Sequence, residues 1–212
     1  MCRRCSQRFA APVARCPQCG LPVEGGLRCG ACLGHPPAFD RVVTVADYGY
    51  PWDRLIAEFK FRGRSELASA LALLMDQAVQ QAPALPPAEL VLPVPLTSAR
   101  LRERGYNQAW ELARRVALRR RIAHHAGLLL RLHDAPHQVG SGRQQRAQNL
   151  QHAMWVDTGA AGRIGVAGRQ VALVDDVMTT GGTAQAAALA LRAAGACAVQ
   201  VWVIARTLPG TG

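Results

Sequence analysis

The 212-residue sequence predicts an α/β protein: a parallel sheet covered by helices on both faces, with a small cysteine-rich, metal-dependent module at the N-terminus. Three observations carry this. Apolar stretches without polar alternation, such as LVLPVP (90–95) and RQVALVDD (169–176), are separated by helical periodicity, which is the pattern of strands buried on both faces. Six of the seven cysteines lie in the first 32 residues. The stretch VALVDDVMTTGGT (171–183) places two aspartates and a Thr/Gly run directly after an oily segment.

Half of the residues are hydrophobic, enough for a substantial core and too many for a disordered chain. The longest apolar region, 184–205, is broken by Arg192 and Gln200, and MCRRCSQRFA lacks the apolar centre of a signal peptide. A soluble cytoplasmic protein without membrane insertion is expected. The net charge of +11 is nearly all arginine, because Lys60 is the only lysine. Two readings stand: a partner rich in phosphate, or a solvated Arg-rich surface in an Arg- and Ala-biased proteome.

From the N-terminus, the cysteines form three CxxC pairs: Cys2/Cys5, Cys16/Cys19 and Cys29/Cys32. Two such pairs complete a tetrahedral thiolate site for zinc, and in a chain without a secretion signal disulfides are the weaker reading. CPQCG and LRCGAC read as two knuckles, so Cys16, Cys19, Cys29 and Cys32 are the expected ligands. Four thiolates leave no open coordination position, so the role is structural. Cys2 and Cys5 are either unliganded or half of an incomplete second site. Cys197, alone in an apolar stretch, is expected in the core.

GHPPAFD (34–40) marks a boundary, giving 1–36 as the cysteine-rich module and 37–212 as the α/β body. RVVTVADY (41–48) predicts a strand, 52–61 and 66–81 predict helices, and APALPPAE (82–89) a loop before the buried strand 90–95. Residues 106–121 predict a helix with Arg114, Arg115, Arg119 and Arg120 on its outer face. GLLLRL (127–132) predicts a strand, followed by an irregular polar segment from 133 to about 151, which reads as a phosphate-closing lid bearing His137, Arg143 and Arg146 or as a solvated loop. A strand over 169–176, a helix over 183–194 and a last strand over 198–205 complete the body. Arg163, Arg169 and Arg192 are read as solvated.

With 171–174 on a parallel strand, the aspartates fall at its carboxyl end, where open α/β sheets bind ligands. Thr179, Thr180, Gly181, Gly182 and Thr183 then form a strand-to-helix turn. Backbone amides at a helix start, glycines that allow close approach and threonine hydroxyls together make an anion site. Asp175 and Asp176 are acceptors that suit ribose hydroxyls or a hydrated magnesium ion. A ribose 5-phosphate satisfies both ends.

This stretch resembles the phosphoribosyl pyrophosphate (PRPP) signature of the type I phosphoribosyltransferases. CPQCGLPV…CGAC, FKFRGR (59–64), LVLPVPLTSARLRERGYNQA (90–109) and the R…Q…R…N segment resemble, in the same order, the ComF family of competence-associated proteins. The resemblance covers essentially the whole chain. It implies a type I phosphoribosyltransferase fold, with a five-stranded parallel sheet and a small hood, behind an N-terminal zinc ribbon. Family members often carry eight cysteines in two ribbons, so this chain is expected to begin inside the first. The resemblance further implies pyrophosphate binding by Pro93, Val94, Pro95 and Leu96 with Arg100 and Arg104, added charge from Lys60 and Arg62, and a loop with Arg143, Arg146 and Asn149 that closes over PRPP. Ala135 and His137 replace the family's usual Thr and Pro in that loop.

The implied reaction is magnesium-dependent transfer of phosphoribosyl from PRPP to an unidentified acceptor, with Asp175, Asp176, Arg143 and Arg146 at the reacting centre and a link to competence and DNA uptake. The alternative is a non-catalytic factor in natural transformation that binds single-stranded DNA and uses PRPP only as a ligand. Sparse aromatics, 5% of residues, argue against extensive base stacking. A third reading is an adaptor whose ribbon docks a component of the DNA-uptake machinery.

Overall fold

The computed structural model describes residues 3–61, 64, 66–82, 86–131, 154–157, 159 and 164–210. Among these the strands are β1 (Arg41–Asp47), β2 (Leu90–Pro93), β3 (Ala123–His124), β4 (Leu129–Arg131), β5 (Met154–Val156), β6 (Gln170–Met178) and β7 (Ala198–Arg206). The helices are α1 (Arg3–Phe9), α2 (Gly30–Gly34), α3 (Trp52–Phe61), α4 (Leu67–Gln81), α5 (Ser98–Arg104), α6 (Gln108–Arg120) and α7 (Gly182–Ala193).

Five strands form one sheet in the order β1-β7-β6-β2-β3, parallel at every pairing. Its two faces are read directly from alternate residues of β6. Val171 and Leu173 pack with Ala184, Ala187, Ala188 and Leu191 of α7. Ala172 and Val174 pack with Trp52, Ile56 and Phe59 of α3, Met75 of α4 and Leu112 and Val116 of α6. All four strand residues are fully buried, which explains the unbroken apolar run. The spacing of Trp52, Ile56 and Phe59 is one face of a helix.

The sequence-based elements largely recur, with informative departures. The helix expected over 106–121 begins at Gln108, because Asn107 caps it: its Oδ1 accepts from the amides of Ala109 (2.9 Å) and Trp110 (3.3 Å). Residues 98–104, not assigned to an element beforehand, form α5, capped by Thr97 and ended by left-handed Gly105. The strand expected over 127–132 shrinks to β4, which pairs antiparallel with β5 outside the main sheet. The two-residue β3, too short for any periodicity, takes the sheet's edge instead.

Cys197 is exposed rather than in the core: it lies in the turn before β7, where its amide donates to Arg169 O at 2.9 Å. Arg192 is not simply solvated. It pairs with Asp40 at 2.5 Å and also donates to the Cys197 carbonyl, tying α7 to the segment before β1. The segment expected to be irregular, from 133 to about 151, lies outside the described residues, and so do Cys2, Arg62, Arg143, Arg146, Asn149 and Arg163.

Candidate functional site

The strand bearing the two aspartates, expected over 169–176, runs on to Met178. β6 pairs with β7 through Asp175↔Val203, Val177↔Ala205 and Met178↔Arg206, so both carboxylates sit on extended backbone. Strand alternation then separates them. Asp176 shares the face of Ala172 and Val174 and meets α3, where Lys60 Nζ lies 3.1 Å from its Oδ1. Asp175 shares the face of Leu173 and borders a small cavity, about 30 Å³, with Thr179, Gly181, Thr183 and Ala184. Adjacent in sequence, the two groups serve opposite sides of one strand end.

Their electrostatics differ. The Asp176 side chain is 3% exposed, and its Oδ2 is buried with no hydrogen-bond partner among the described residues. An unsatisfied buried acceptor costs about 1–3 kcal/mol. Asp175 Oδ1 accepts from the Asp176 amide at 2.8 Å. Its carboxyl is pushed up to about 8, by burial first and by the Asp176 charge second, against the pull of that amide and of Lys60.

The turn that follows needs its glycine. Gly181 has φ 87°, and a Cβ there would stand 2.8 Å from Met178 Cε. Thr179 and Thr180 are exposed, and Thr180 Oγ1 accepts from the Gly182 amide at 3.4 Å. α7 begins at Gly182, so the positive end of a 12-residue helix faces the turn.

Beside it, β2 ends at Pro93, and Pro93, Val94 and Pro95 are all buried while Leu96 is half-buried. The prolines have no N–H, and the Val94 amide donates to Val174 O at 2.8 Å, so backbone donation to an anion falls to Leu96 and beyond. Arg100 is exposed on α5. Arg104, at its end, stacks over the Phe61 ring at 4.9 Å.

The N-terminal cysteines form the second cluster. The Sγ atoms of Cys16, Cys19, Cys29 and Cys32 all lie within 4.8 Å of one another. Metal–sulfur bonds of about 2.3 Å in a tetrahedron put sulfurs about 3.8 Å apart, and Cys19 Sγ and Cys29 Sγ are 3.7 Å apart. The four residues therefore fit a tetrahedral thiolate site for a metal. For Cys16, burial raises the thiol's pKa, but the amides of Cys29, Cys19 and Gln18 outweigh it and bring it to about 7. Burial pushes Cys19 up to about 11 and Cys32 higher still, so a cation is what lets all four ionise together. Cys5 lies in α1, outside this cluster.

No family model matches the chain. The DNA utilization protein YhgH of Escherichia coli (strain K12) is 37% identical over 212 residues, covering 98% of this chain and 91% of that protein. Competence protein F of Haemophilus influenzae is 33% identical over 210 residues, covering 97% and 90%. The chain belongs to the ComF family. Among solved structures, this ComF-family chain is similar to the glutamine PRPP amidotransferase from B. subtilis complexed with ADP and GMP. That likeness has 22% identity, a TM-score of 0.45, and covers 68% of this chain and 30% of that one. An overlap that loose says nothing of ligand or reaction.

Three contacts of the ComF-family chain escaped sequence reasoning. Lys60 was expected to add charge for PRPP, and it is paired with Asp176. Asn107, besides capping α6, donates from Nδ2 to Val94 O at 3.1 Å and so fixes the exit of β2; an Asn before a helical run was a usable signal. Arg206, at the end of β7, is 5% exposed and had no local signature at all. Among the described residues no helix is long and apolar enough to cross a membrane.

Proposed function

We propose that this ComF-family chain binds PRPP at the end of β6 and transfers its phosphoribosyl group to an acceptor, in the setting of competence and DNA uptake. Asp175 and Asp176 take the ribose hydroxyls, Thr179 to Thr183 the 5-phosphate, and Leu96, Arg100 and Arg104 the pyrophosphate. Arg143 and Arg146, which lie outside the described residues, stabilise the leaving group. The observation that carries this reading is the cavity at the end of β6 that Asp175 lines with Thr179, Gly181 and Thr183 of the anion-type turn, while across the strand Asp176 Oδ2 is buried with no hydrogen-bond partner among the described residues. A ribose hydroxyl is a neutral donor that satisfies that oxygen and leaves Lys60 in place.

In the reaction, a nitrogen of the acceptor bonds to C1 of the ribose as the C1–O bond to pyrophosphate breaks. Pyrophosphate leaves with the bonding electrons, and the nitrogen's proton passes to solvent. Magnesium, arriving with PRPP, supplies neutralisation of pyrophosphate charge. The protein's part is positioning and stabilisation of charge on the leaving group. Zinc is the metal we assign to the four thiolates, in keeping with their all-sulfur, closed set, and reduced thiols of this kind fit a reducing, cytoplasmic location. Incubation of labelled PRPP and magnesium with a panel of nucleobases and other nitrogen nucleophiles tests the reading: pyrophosphate release with one of them is expected, and PRPP bound but unconsumed by every acceptor would contradict transfer.

A second reading, a non-catalytic single-stranded-DNA-binding factor, is favoured by one observation. The few aromatics are partly at the surface: Tyr50 is 70% and Phe61 64% exposed, each with an arginine, Arg54 or Arg104, over its ring. Oligonucleotide affinity that falls steeply with salt is expected on this reading, and absence of binding at low salt would remove it.

A further inference from the structure

The buried Arg206 joins the two sites. Its Nε donates to the Cys19 carbonyl at 2.9 Å. Its Nη1 is shared among the carbonyls of Met178 (3.1 Å), Thr179 and Thr207 (2.8 Å). One guanidinium therefore holds the first knuckle of the thiolate cluster at one end and the start of the β6–α7 turn at the other. Among the described residues no carboxylate pairs with it, though it is 5% exposed. A buried cation without a countercharge is expensive. A divalent ion in four thiolates carries a net charge of about −2, and Arg206 Nε lies on the carbonyl of one of the four ligand residues.

We infer that Arg206 is a positioning residue through which metal loading of the cysteine cluster orders the Thr179–Thr183 turn. With the metal bound, the thiolate centre supplies the countercharge, and the Cys19 carbonyl is fixed where Nε needs it. Nη1 is then held against the Met178 and Thr179 carbonyls, and the turn is set before any ligand arrives. Without metal the knuckle loses its anchor, Arg206 loses its countercharge, and the turn loosens. A planar fork with donors on two sides is needed, so lysine is no substitute. The inference rests on the zinc reading of the cluster and is independent of which ligand occupies the turn.

Hydrogen–deuterium exchange on the full chain tests it without PRPP. Zinc content is measured first, and a chain that carries none would overturn the reading on which the link rests. In the zinc-loaded protein, stripping with a chelator is expected to speed exchange of amides 179–185 roughly tenfold, while amides of β2 and α6 keep their protection. Arg206→Gln, loaded with zinc to the same stoichiometry, is expected to exchange the turn as fast as the stripped wild type, and Arg206→Lys to fall short of wild type. A turn indifferent to stripping overturns the link. So does an Arg206→Gln protein, or Arg206→Lys should the former not fold, that keeps the full difference between loaded and stripped states. Failure of PRPP to bind in a separate titration falls on the proposed function alone.

Discussion

The cysteine knuckle and the β6 strand end are held together by opposite means. In the knuckle, apolar side chains face solvent: Leu27 is 74% and Leu33 66% exposed, and its buried side chains are Cys16, Gln18 and Cys32. In β6, Val171, Ala172, Leu173 and Val174 are all at 0% exposure. Burying a Val or Leu side chain is worth about 1.5–3 kcal/mol, so the strand end is carried by the core and its two carboxylates are preset. The knuckle has no such reserve, and what it offers instead is four thiols gathered as a metal site would need them. It meets the sheet through a few directed contacts: Val42 N–H to Pro17 O at 2.9 Å, Arg15 to Asp47 at 2.6 Å, and Arg206 to Cys19 O. Gly20, at φ 74°, lies so close to Val42 that a Cβ would stand 2.8 Å from its Cγ1. Two neighbouring sites thus rest on different supports, one on an ion and one on packing, and Arg206 is the contact through which the first reaches the turn of the second.

The sharpest break is Cys16→Ser. It removes a thiolate ligand, and structural zinc in such modules is worth on the order of 10 kcal/mol. Zinc measured by atomic emission is expected to fall to background while far-ultraviolet dichroism of the sheet and helices persists. Zinc affinity of the wild type should also rise with pH, because the raised Cys19 and Cys32 thiols must release protons on binding. Next in size is Gly181→Val, which forces a side chain into a left-handed backbone and against Met178. A loss of about 3 kcal/mol is expected in urea unfolding, with zinc retained.

Lys60→Met leaves the Asp176 charge buried and unpaired, which is expected to cost about 2 kcal/mol, and Lys60→Met with Asp176→Asn should recover much of it in a double-mutant cycle. The last comparison is one of pH. Asp175 is raised above its ordinary value of 3.8 to about 8, so the folded chain holds a proton that the unfolded chain has released. Stability of the ligand-free protein therefore falls as pH rises from about 4 to about 8, and Asp175→Asn should flatten the fall of melting temperature with pH over that range.

Much of this was legible because burial on both faces leaves an unambiguous apolar signature, as in β6 and β7, and because CxxC spacing names its own chemistry. The strand's continuation through Val177 and Met178 was not, since two adjacent carboxylates look like its end. Only pairing with β7 keeps them extended and sends them to opposite faces. Cys197 looked like core because its neighbours are apolar, but it sits in the turn where α7 hands over to β7. Arg206 was invisible for the reverse reason: its partners are main-chain carbonyls at positions 19, 178, 179 and 207, which leave no trace in residue types.

The central claim is that the end of β6 and the turn after it form one sugar-phosphate grip. Isothermal titration of PRPP with magnesium into the wild type and into Asp176→Ala, both checked for zinc, tests it most directly. Saturable binding by the wild type and none by Asp176→Ala, with zinc content equal, is the predicted result. Equal binding by both proteins, or none by the wild type, would contradict it.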